Sequence, residues 1–353
     1  MLNASDFKAL VSGRRRGLGP RLLRGVLRAA EVPYTLAVKR RNRRFDRGHV
    51  AEHRLEVPVI SVGNLTLGGT GKTPMVAWLA RWFEEQNVRV ALVSRGYGTA
   101  AGAPNDEALE LAQQLPNVPH FQDRARVVAA RLAIERTQSQ LILLDDGFQH
   151  RHLARDLDIV LLDALEPFGF DHVFPRGTLR EPPAGLHRAQ VVALSRADAL
   201  NAEQRAAIRR RVAHYAPAAL WIEIEHAPRG WRSSTGVDRS LDFLAGERIA
   251  AFCGLGTPEG FWHTLACTGV EIADRREYPD HFAYQAEDLQ RLAAWAEEQG
   301  VGALVCTHKD LVKIGNERLG KTPLWALSVG IEISRGRSDL EALLRPLVRP
   351  TDS

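Results

Sequence analysis

A glycine-rich stretch between an apolar run and an amphipathic helix constrains this chain more than any other feature. Residues 57–62 predict a buried strand, and residues 72–83 predict a helix whose apolar positions share one face. A strand, a glycine turn and a helix that opens with Lys-Thr form an arrangement that binds a nucleoside triphosphate. Successive backbone amides and the helix N-terminus surround the phosphates.

The residue types of this stretch suit phosphate binding. Its core consists of Gly68, Gly69, Thr70, Gly71, Lys72 and Thr73. The glycines lack a Cβ that would hold the backbone away from a phosphate, the lysine reaches the β- and γ-oxygens, and the threonine hydroxyl ligates Mg²⁺. Thr66 stands where the generic pattern has glycine, but the core still meets the chemical need. The alternative is a glycine-rich turn that binds no ligand.

Composition indicates a soluble-type globular protein with room for two domains. The chain has 353 residues, 45% of them hydrophobic, and three widely spaced cysteines that suit a reducing, cytosolic compartment. No apolar stretch is long enough to span a bilayer, and we expect no signal peptide. The net charge of +5 is uneven: residues 1–50 carry 13 Lys/Arg against 3 Asp/Glu, so the remainder is mildly acidic. Such asymmetry favours an anionic partner.

The basic N-terminal segment also contains an apolar helical stripe. Leu22, Leu23, Val26, Leu27 and Ala30 share one helical face beside arginines, Pro33 is expected to end the helix, and residues 39–44 form a second basic cluster. This pattern is typical of a helix at an anionic membrane surface. Packing on the domain core is the main alternative. Nucleic acid is not expected as a partner, because aromatic interleaving and a recognised module are absent.

Strands and helices alternate after this segment, which predicts an α/β fold with a P-loop domain built on a doubly wound, mainly parallel sheet, plus a second, smaller α/β domain. The expected boundaries are a basic segment at 1–50, a P-loop domain at 51–225, a linker at 226–246 and the smaller domain at 247–353. The smaller domain is expected to end in a helix at 340–345 that Ser338 caps. Loops 64–72, 94–98 and 145–150 should gather at the carboxyl ends of the strands.

Two acids follow an apolar strand at 141–144. Asp145 and Asp146 would lie at the edge of the sheet where the phosphates bind, and carboxylates there can hold Mg²⁺ directly or through water. The structural alternative is that Asp145 caps the following turn.

Phosphoryl transfer to an acceptor needs more than a phosphate site. It needs a carboxylate that orients and deprotonates a hydroxyl, and cations that spread charge on the moving group. The candidate bases are Asp106, Glu107 and His281, and the candidate cations are Arg124, Arg176 and Arg180. Spacing alone does not single these residues out.

Six stretches together resemble the tetraacyldisaccharide 4′-kinase family. They are residues 62–74, 94–98 (Ser-Arg-Gly-Tyr-Gly), 145–150 (Asp-Asp-Gly-Phe-Gln-His), 176–182 (Arg-Gly-Thr-Leu-Arg-Glu-Pro), 280–281 (Asp-His) and 307–310 (Thr-His-Lys-Asp). They occur in the family's order over most of the chain. Thr66, which departs from the generic pattern, is the family's own variant.

The resemblance implies a function and a role for each matching residue. The family phosphorylates the 4′-hydroxyl of a lipid A disaccharide precursor with ATP and Mg²⁺. Lys72 and Thr73 would then bind ATP phosphates and the metal, with help from Asp145 and Asp146. Asp106 would match the catalytic aspartate, assisted by His281 from the other domain, while Arg180 and His150 would line the site. The family also implies two α/β domains joined by a β-hairpin linker, and a peripheral or monotopic location at the cytoplasmic face of the bacterial inner membrane.

Two departures and one rival function bear on this interpretation. The family's Gly-Asp-Glu-Pro is Asn105-Asp106-Glu107-Ala108 here, and its Thr-Glu-Lys-Asp is Thr-His-Lys-Asp at 307–310. The rival is a P-loop NTPase switch that hydrolyses ATP or GTP to control a protein partner. Such switches commonly carry an extra lysine just before the paired glycines, where this chain has Leu67, and they usually dimerise. We expect a monomer.

Overall fold

The computed structural model describes residues 4–96, 111–112, 114–256, 258–279 and 282–348, with side chains from Asp6 onward. The chain folds into two compact units. The larger unit contains residues 6–96, 114–225 and 332–348, and the smaller unit is built around His226–Ile331.

The strands of the described residues follow one another in chain order. They are β1 (Val59–Asn64), β2 (Val90–Ser94), β3 (His120–Gln122), β4 (Leu141–Asp145), β5 (Leu157–Asp163), β6 (Val191–Ser195), β7 (Leu220–Arg232), β8 (Asp238–Arg239), β9 (Arg248–Cys253), β10 (Glu271–Glu277), β11 (Ala303–Thr307), β12 (Arg318–Leu319) and β13 (Thr322–Arg335).

Among the described residues, the α-helices with defined bounds are α1 (Ala4–Val11), α2 (Leu18–Asp46), α3 (Lys72–Glu85), α4 (Arg126–Thr137), α5 (Ala202–Tyr215), α6 (Glu259–Ala266), α7 (Ala286–Gln299), α8 (His308–Ile314) and α9 (Arg337–Leu344). Among the residues that the structure describes, no helix is both long enough and apolar enough to cross a membrane.

The larger unit is organised around a parallel sheet with the strand order β7-β6-β5-β1-β4-β2-β3. Every residue of β1, β2, β4, β5 and β6 is buried, as expected for a parallel sheet covered on both faces. Alternate residues supply separate cores. Val160 and Leu162 of β5 belong to one cluster, whereas Ile142 and Leu144 of β4 pack with alanines of α4. The prediction of a P-loop-type α/β fold on a mainly parallel sheet is confirmed.

The smaller unit contains a parallel sheet in the order β10-β9-β11-β13, and β12 pairs antiparallel with β13. Alternate residues of β9 pack on the two opposite faces of this sheet. Ala250 and Phe252 enter a cluster with Trp295 of α7, while Ile249 and Ala251 enter a cluster with Phe261 of α6. Both faces are therefore covered by apolar side chains.

Several expected boundaries differ from the structure. Helix α2 does not end at Pro33 but continues to Asp46. Contacts on both sides of the proline explain this: Glu31 accepts a hydrogen bond from Val173 N (2.7 Å), and Asn42 Nδ2 donates to Glu181 Oε2 (2.8 Å). Such tertiary contacts outweigh the local cost of a proline inside a helix.

The end of the chain also differs from expectation. Helix α9 begins at Arg337 after Gly336, which has a left-handed backbone (φ 79°), so Ser338 is inside the helix and does not cap it. Residues 332–348 belong to the larger unit, although the sequence boundaries placed them in the smaller domain. Residues 226–246, predicted to be a linker, contain the end of β7 and all of β8, which pair antiparallel.

Candidate active site

The glycine-rich stretch joins β1 to α3 as a short loop, residues 65–71, called the phosphate loop here. Gly68 and Gly71 have left-handed backbones (φ 112° and 84°), a conformation that glycine adopts without a steric penalty. Asn64 Nδ2 donates to Gly68 O (3.3 Å) and to Thr70 Oγ1 (3.0 Å), so a buried amide fixes the loop from below. A Cβ at Gly69 would meet no described atom within 4 Å, so this edge is open to a ligand.

A second loop, residues 169–180, is tied to the phosphate loop through the backbone. Leu67 N donates to Thr178 O (2.7 Å), and Arg180 N donates to Leu65 O (2.7 Å). These bonds position Arg180 relative to the loop although the two segments are more than a hundred residues apart in the sequence. The second loop therefore serves as a rigid support for an arginine at the candidate site.

Lys72 and Arg180, both predicted from the sequence, contact the predicted acid Asp146. Arg180 Nη1 donates to both carboxylate oxygens (2.7 and 2.8 Å), and Lys72 Nζ, at the first position of α3, lies 3.6 Å from Oδ1. Asp146 itself has a left-handed backbone (φ 56°), which turns the chain at the end of β4 and directs this residue toward the phosphate loop. The structure thus brings together a lysine, an arginine and a carboxylate beside the loop.

The electrostatics of Asp146 follow from these cations. Burial on its own would raise the pKa of this carboxyl, but the charges of Lys72 and Arg180, the hydrogen bond from Arg180 and the charge of Arg126 lower the pKa to about 2 from 3.8. The carboxylate is therefore ionised at neutral pH. It neutralises part of the positive charge that a triphosphate would otherwise meet.

We expect this carboxylate to make the protein's stability depend on pH in acid. Because the folded-state pKa is the lower one, the stabilisation of about 2 kcal/mol is complete well above pH 4 and is lost as pH falls toward 2. Asp146→Asn, which tolerates the left-handed backbone, should lower the free energy of unfolding at pH 7, and the difference from wild type should shrink by about half at pH 3. Urea unfolding at several pH values measures this. A difference that stays constant from pH 7 to pH 3 would contradict it.

Arg126 and His150 form a second part of the site. Arg126 is buried at the start of α4, where Nη2 donates to Asp146 O (3.3 Å) and Nη1 lies 3.3 Å from His150 Nδ1. Burial and the nearby Arg126 charge lower the pKa of His150 to about 4, so its imidazole is neutral at pH 7. Arg126 was not predicted. Its only sequence signal was its position two residues after Arg124, a candidate cation.

The buried side chain of Glu181 holds Gln149 and Arg188 in place next to the site. Gln149 Nε2 donates to Asn64 O (2.9 Å) and to Glu181 Oε1 (3.1 Å), and Arg188 Nη2 pairs with the same glutamate at 2.8 Å. Glu181 is fully buried, so these partners offset the cost of its desolvation. Gln149 and Glu181 lie inside two of the motifs quoted above, but the sequence did not reveal that they meet.

The oxygen donors at the loop fit a magnesium ion. Asp145 is the buried last residue of β4, in register with Val62 of β1, and Thr73 is the second residue of α3. No cluster of three or more metal-binding side chains occurs within the described ranges. Mg²⁺ bound with a nucleotide does not require one, because it relies on one or two carboxylates, phosphates and water.

The other predicted residues fall elsewhere. Arg124 is exposed just before α4, and Arg176 Nη1 donates to Val11 O of α1 (2.9 Å). Asp106 and His281 lie outside the described residues. The roles given to all four remain predictions.

A glycine loop between a buried parallel strand and a helix, with Lys72 facing a strand-end carboxylate, defines a nucleotide-binding P-loop protein. The sequence model of the family described as "Tetraacyldisaccharide-1-P 4′-kinase" matches residues 23–349. The chain therefore belongs to the tetraacyldisaccharide 4′-kinase family, as its motifs indicated.

Individual relatives agree with this placement. The tetraacyldisaccharide 4′-kinase of Anaeromyxobacter dehalogenans (strain 2CP-C) is 39% identical over 334 residues, which cover 89% of this chain and 88% of the relative. That of Halothermothrix orenii is 34% identical, with 95% of each chain covered. Among solved structures, LpxK from Aquifex aeolicus in complex with ATP is similar, with a TM-score of 0.73 and 27% identity, and covers 93% of this chain and 100% of that chain.

Proposed function

We propose that this protein transfers the γ-phosphoryl group of ATP to the 4′-hydroxyl of a tetraacyldisaccharide 1-phosphate lipid. The observation that carries the proposal is the convergence of Lys72, Asp146 and Arg180 on the phosphate loop of a chain that belongs to this kinase family. Family membership does not favour the alternative, an NTPase switch. The direct test is mass spectrometry of the lipid after incubation with ATP and Mg²⁺, which should show one added phosphate, located at the 4′ position.

The nucleotide would be bound mainly by the phosphate loop and its lysine. Backbone amides of residues 68–73 would donate to the phosphates, with Lys72 on the β- and γ-oxygens. Thr73, Asp145 and Asp146 would hold Mg²⁺, which neutralises charge on the phosphate oxygens when it is bound. Arg180, which contacts Asp146, would stabilise negative charge on the transferred group.

The acceptor hydroxyl would be activated by Asp106, with His281 as its assistant, as the family resemblance implies. The acceptor oxygen forms a bond to the γ-phosphorus, the bond from that phosphorus to the β,γ-bridging oxygen breaks, and the hydroxyl proton passes to the carboxylate. ADP leaves with the electrons of the broken bond. Arg124, His150 and Arg176 are proposed to bind the substrate.

We also propose that α2 places the enzyme on the anionic surface of the membrane that contains its lipid substrate, the cytoplasmic face of the inner membrane. Large apolar side chains are exposed along α2, among them Leu18 (78%), Leu22 (72%), Val26 (64%) and Leu36 (61%). Leu18, Leu22 and Val26 recur every four residues, so they share one face of the helix. The basic residues at 39–44 follow in the same helix. Apolar and basic residues together are typical of interfacial helices.

Replacing Leu22 and Val26 together with glutamine is expected to weaken binding to anionic vesicles at least tenfold, since each side chain loses roughly 1.5–3 kcal/mol of apolar burial. Binding of the wild-type protein should also weaken as salt rises. Vesicle sedimentation measures both effects. The matched control is Val128→Gln, which alters an exposed valine (58%) on α4 and should leave binding unchanged. Equal partitioning of the double variant and wild type would rule out this surface.

A further inference from the structure

Lys8 of α1 lies beside the phosphate loop. Its Nζ is 3.9 Å from the position that a Cβ at Gly68 would occupy, at the exposed edge of the paired glycines. Helix α1 precedes residue 23, where the match to the family begins. The range matched by the family model therefore does not include this lysine.

Helix α1 is anchored, so it presents Lys8 in a fixed position. Leu10 and Val11 are each only 2% exposed. The two backbone carbonyls of these residues accept hydrogen bonds from arginines of other segments, Leu10 O from Arg24 Nη1 (3.2 Å) and Val11 O from Arg176 Nη1 (2.9 Å). Buried side chains and satisfied carbonyls at its end anchor residues 6–11 of α1 in the larger unit.

The same supporting loop holds α1 and the phosphate loop. Arg176, which binds the end of α1, is two residues before Thr178, whose carbonyl accepts from Leu67 N. The Thr178 hydroxyl donates a hydrogen bond to Glu166. The positive charge of Lys8 acts to lower the pKa of the same carboxyl group. Lys8 thus lies in a corner formed by the phosphate loop, loop 169–180 and one acid.

We propose that Lys8 is an additional phosphate-binding residue, which contacts the polyphosphate of ATP at the glycine edge of the loop. The inference rests on the proposed function, since it assigns a further ligand to the same nucleotide. A lysine ammonium is a compact cation with three donors, and phosphate oxygens are its preferred partners. Phosphates bound at the loop would approach the backbone near Gly68, within reach of this ammonium.

The expected effect of Lys8→Met is a rise of about tenfold in the Kd for Mg-ATP, because a hydrogen bond between charged groups is lost. The KM for ATP should rise in parallel while the KM for the lipid stays unchanged. Lys8→Arg, which keeps the charge, should restore most of the affinity. The matched control is Lys321→Met, which removes an exposed lysine of the smaller unit and should bind ATP as the wild type does.

Isothermal titration of the full chain with ATP separates the outcomes. Unchanged ATP affinity in Lys8→Met, or a higher KM for the lipid alone, would overturn the inference and leave the proposed function standing. Failure of the wild-type protein to bind ATP would instead overturn the proposed function.

A second measurement needs no variant, so it covers the case in which Lys8→Met does not fold. Acetylation of wild-type protein with an amine reagent, followed by mass spectrometry, reports the accessibility of each lysine. Saturating Mg-ATP should protect Lys8 and leave Lys321 as reactive as before. Equal labelling of Lys8 with and without ATP would overturn the inference.

Discussion

Lys72→Ala is expected to lower the rate of phosphoryl transfer to the lipid by about 10²–10³-fold, since it removes a preorganised cation from the developing negative charge. The side chain is largely buried, and its ammonium lies 3.6 Å from Asp146. ATP binding should weaken as well, because the lysine contacts phosphates in the ground state too.

The fold should survive this change. Asp146 keeps both hydrogen bonds from Arg180, so its carboxylate is not left buried without a partner. Thermal unfolding of Lys72→Ala should therefore stay a single cooperative transition, with a midpoint only a few degrees below that of wild type, because the charge that Lys72 directs at Asp146 is lost. Lys321→Ala serves as the control, since it removes an exposed lysine and should keep full activity. Wild-type turnover by Lys72→Ala would remove this residue from the mechanism.

Asp106→Asn is expected to lower turnover by about 10²–10⁴-fold, the usual contribution of a general base. The amide keeps the size of the side chain but cannot accept the hydroxyl proton. ATP affinity should hold, because the proposed role concerns the acceptor and not the nucleotide. Single-turnover assays at saturating ATP and lipid isolate the chemical step.

A variant of the neighbouring acid, Glu107, tests which of the two acids is the catalytic base. Glu107 was the alternative base in the sequence, so Glu107→Gln is the matched comparison. We expect its turnover to stay near that of wild type. If Glu107→Gln loses activity and Asp106→Asn does not, the catalytic base has been assigned to the wrong acid. His281→Ala should show a smaller loss than Asp106→Asn, since the imidazole only assists the base.

The parts of the fold that the sequence predicted are those with strong local patterns. Strands β1 and β4 overlap the apolar runs at 57–62 and 141–144, and α3 has a clear helical periodicity. Strands β7 and β13 were not predicted, because the exposure of their residues changes along their length and no single period marks them. The continuation of α2 past Pro33 also escaped prediction, since distant partners such as Val173 hold it in place.

The sequence predicted those site residues that lie within short, recognisable motifs. Lys72, Asp146 and Arg180 were expected at the site, and the structure brings them into contact. Arg126 and Glu181 were missed for a physical reason. Their roles depend on which buried groups they meet, and neither burial nor pairing across the sheet can be read from one sequence.

The fate of the γ-phosphate of ATP tests the central claim most directly. Wild-type protein, incubated with γ-labelled ATP, Mg²⁺ and tetraacyldisaccharide 1-phosphate in vesicles, should transfer the label to the lipid, and Lys72→Ala should not. Label that appears as inorganic phosphate, with the lipid unlabelled, would contradict the kinase assignment.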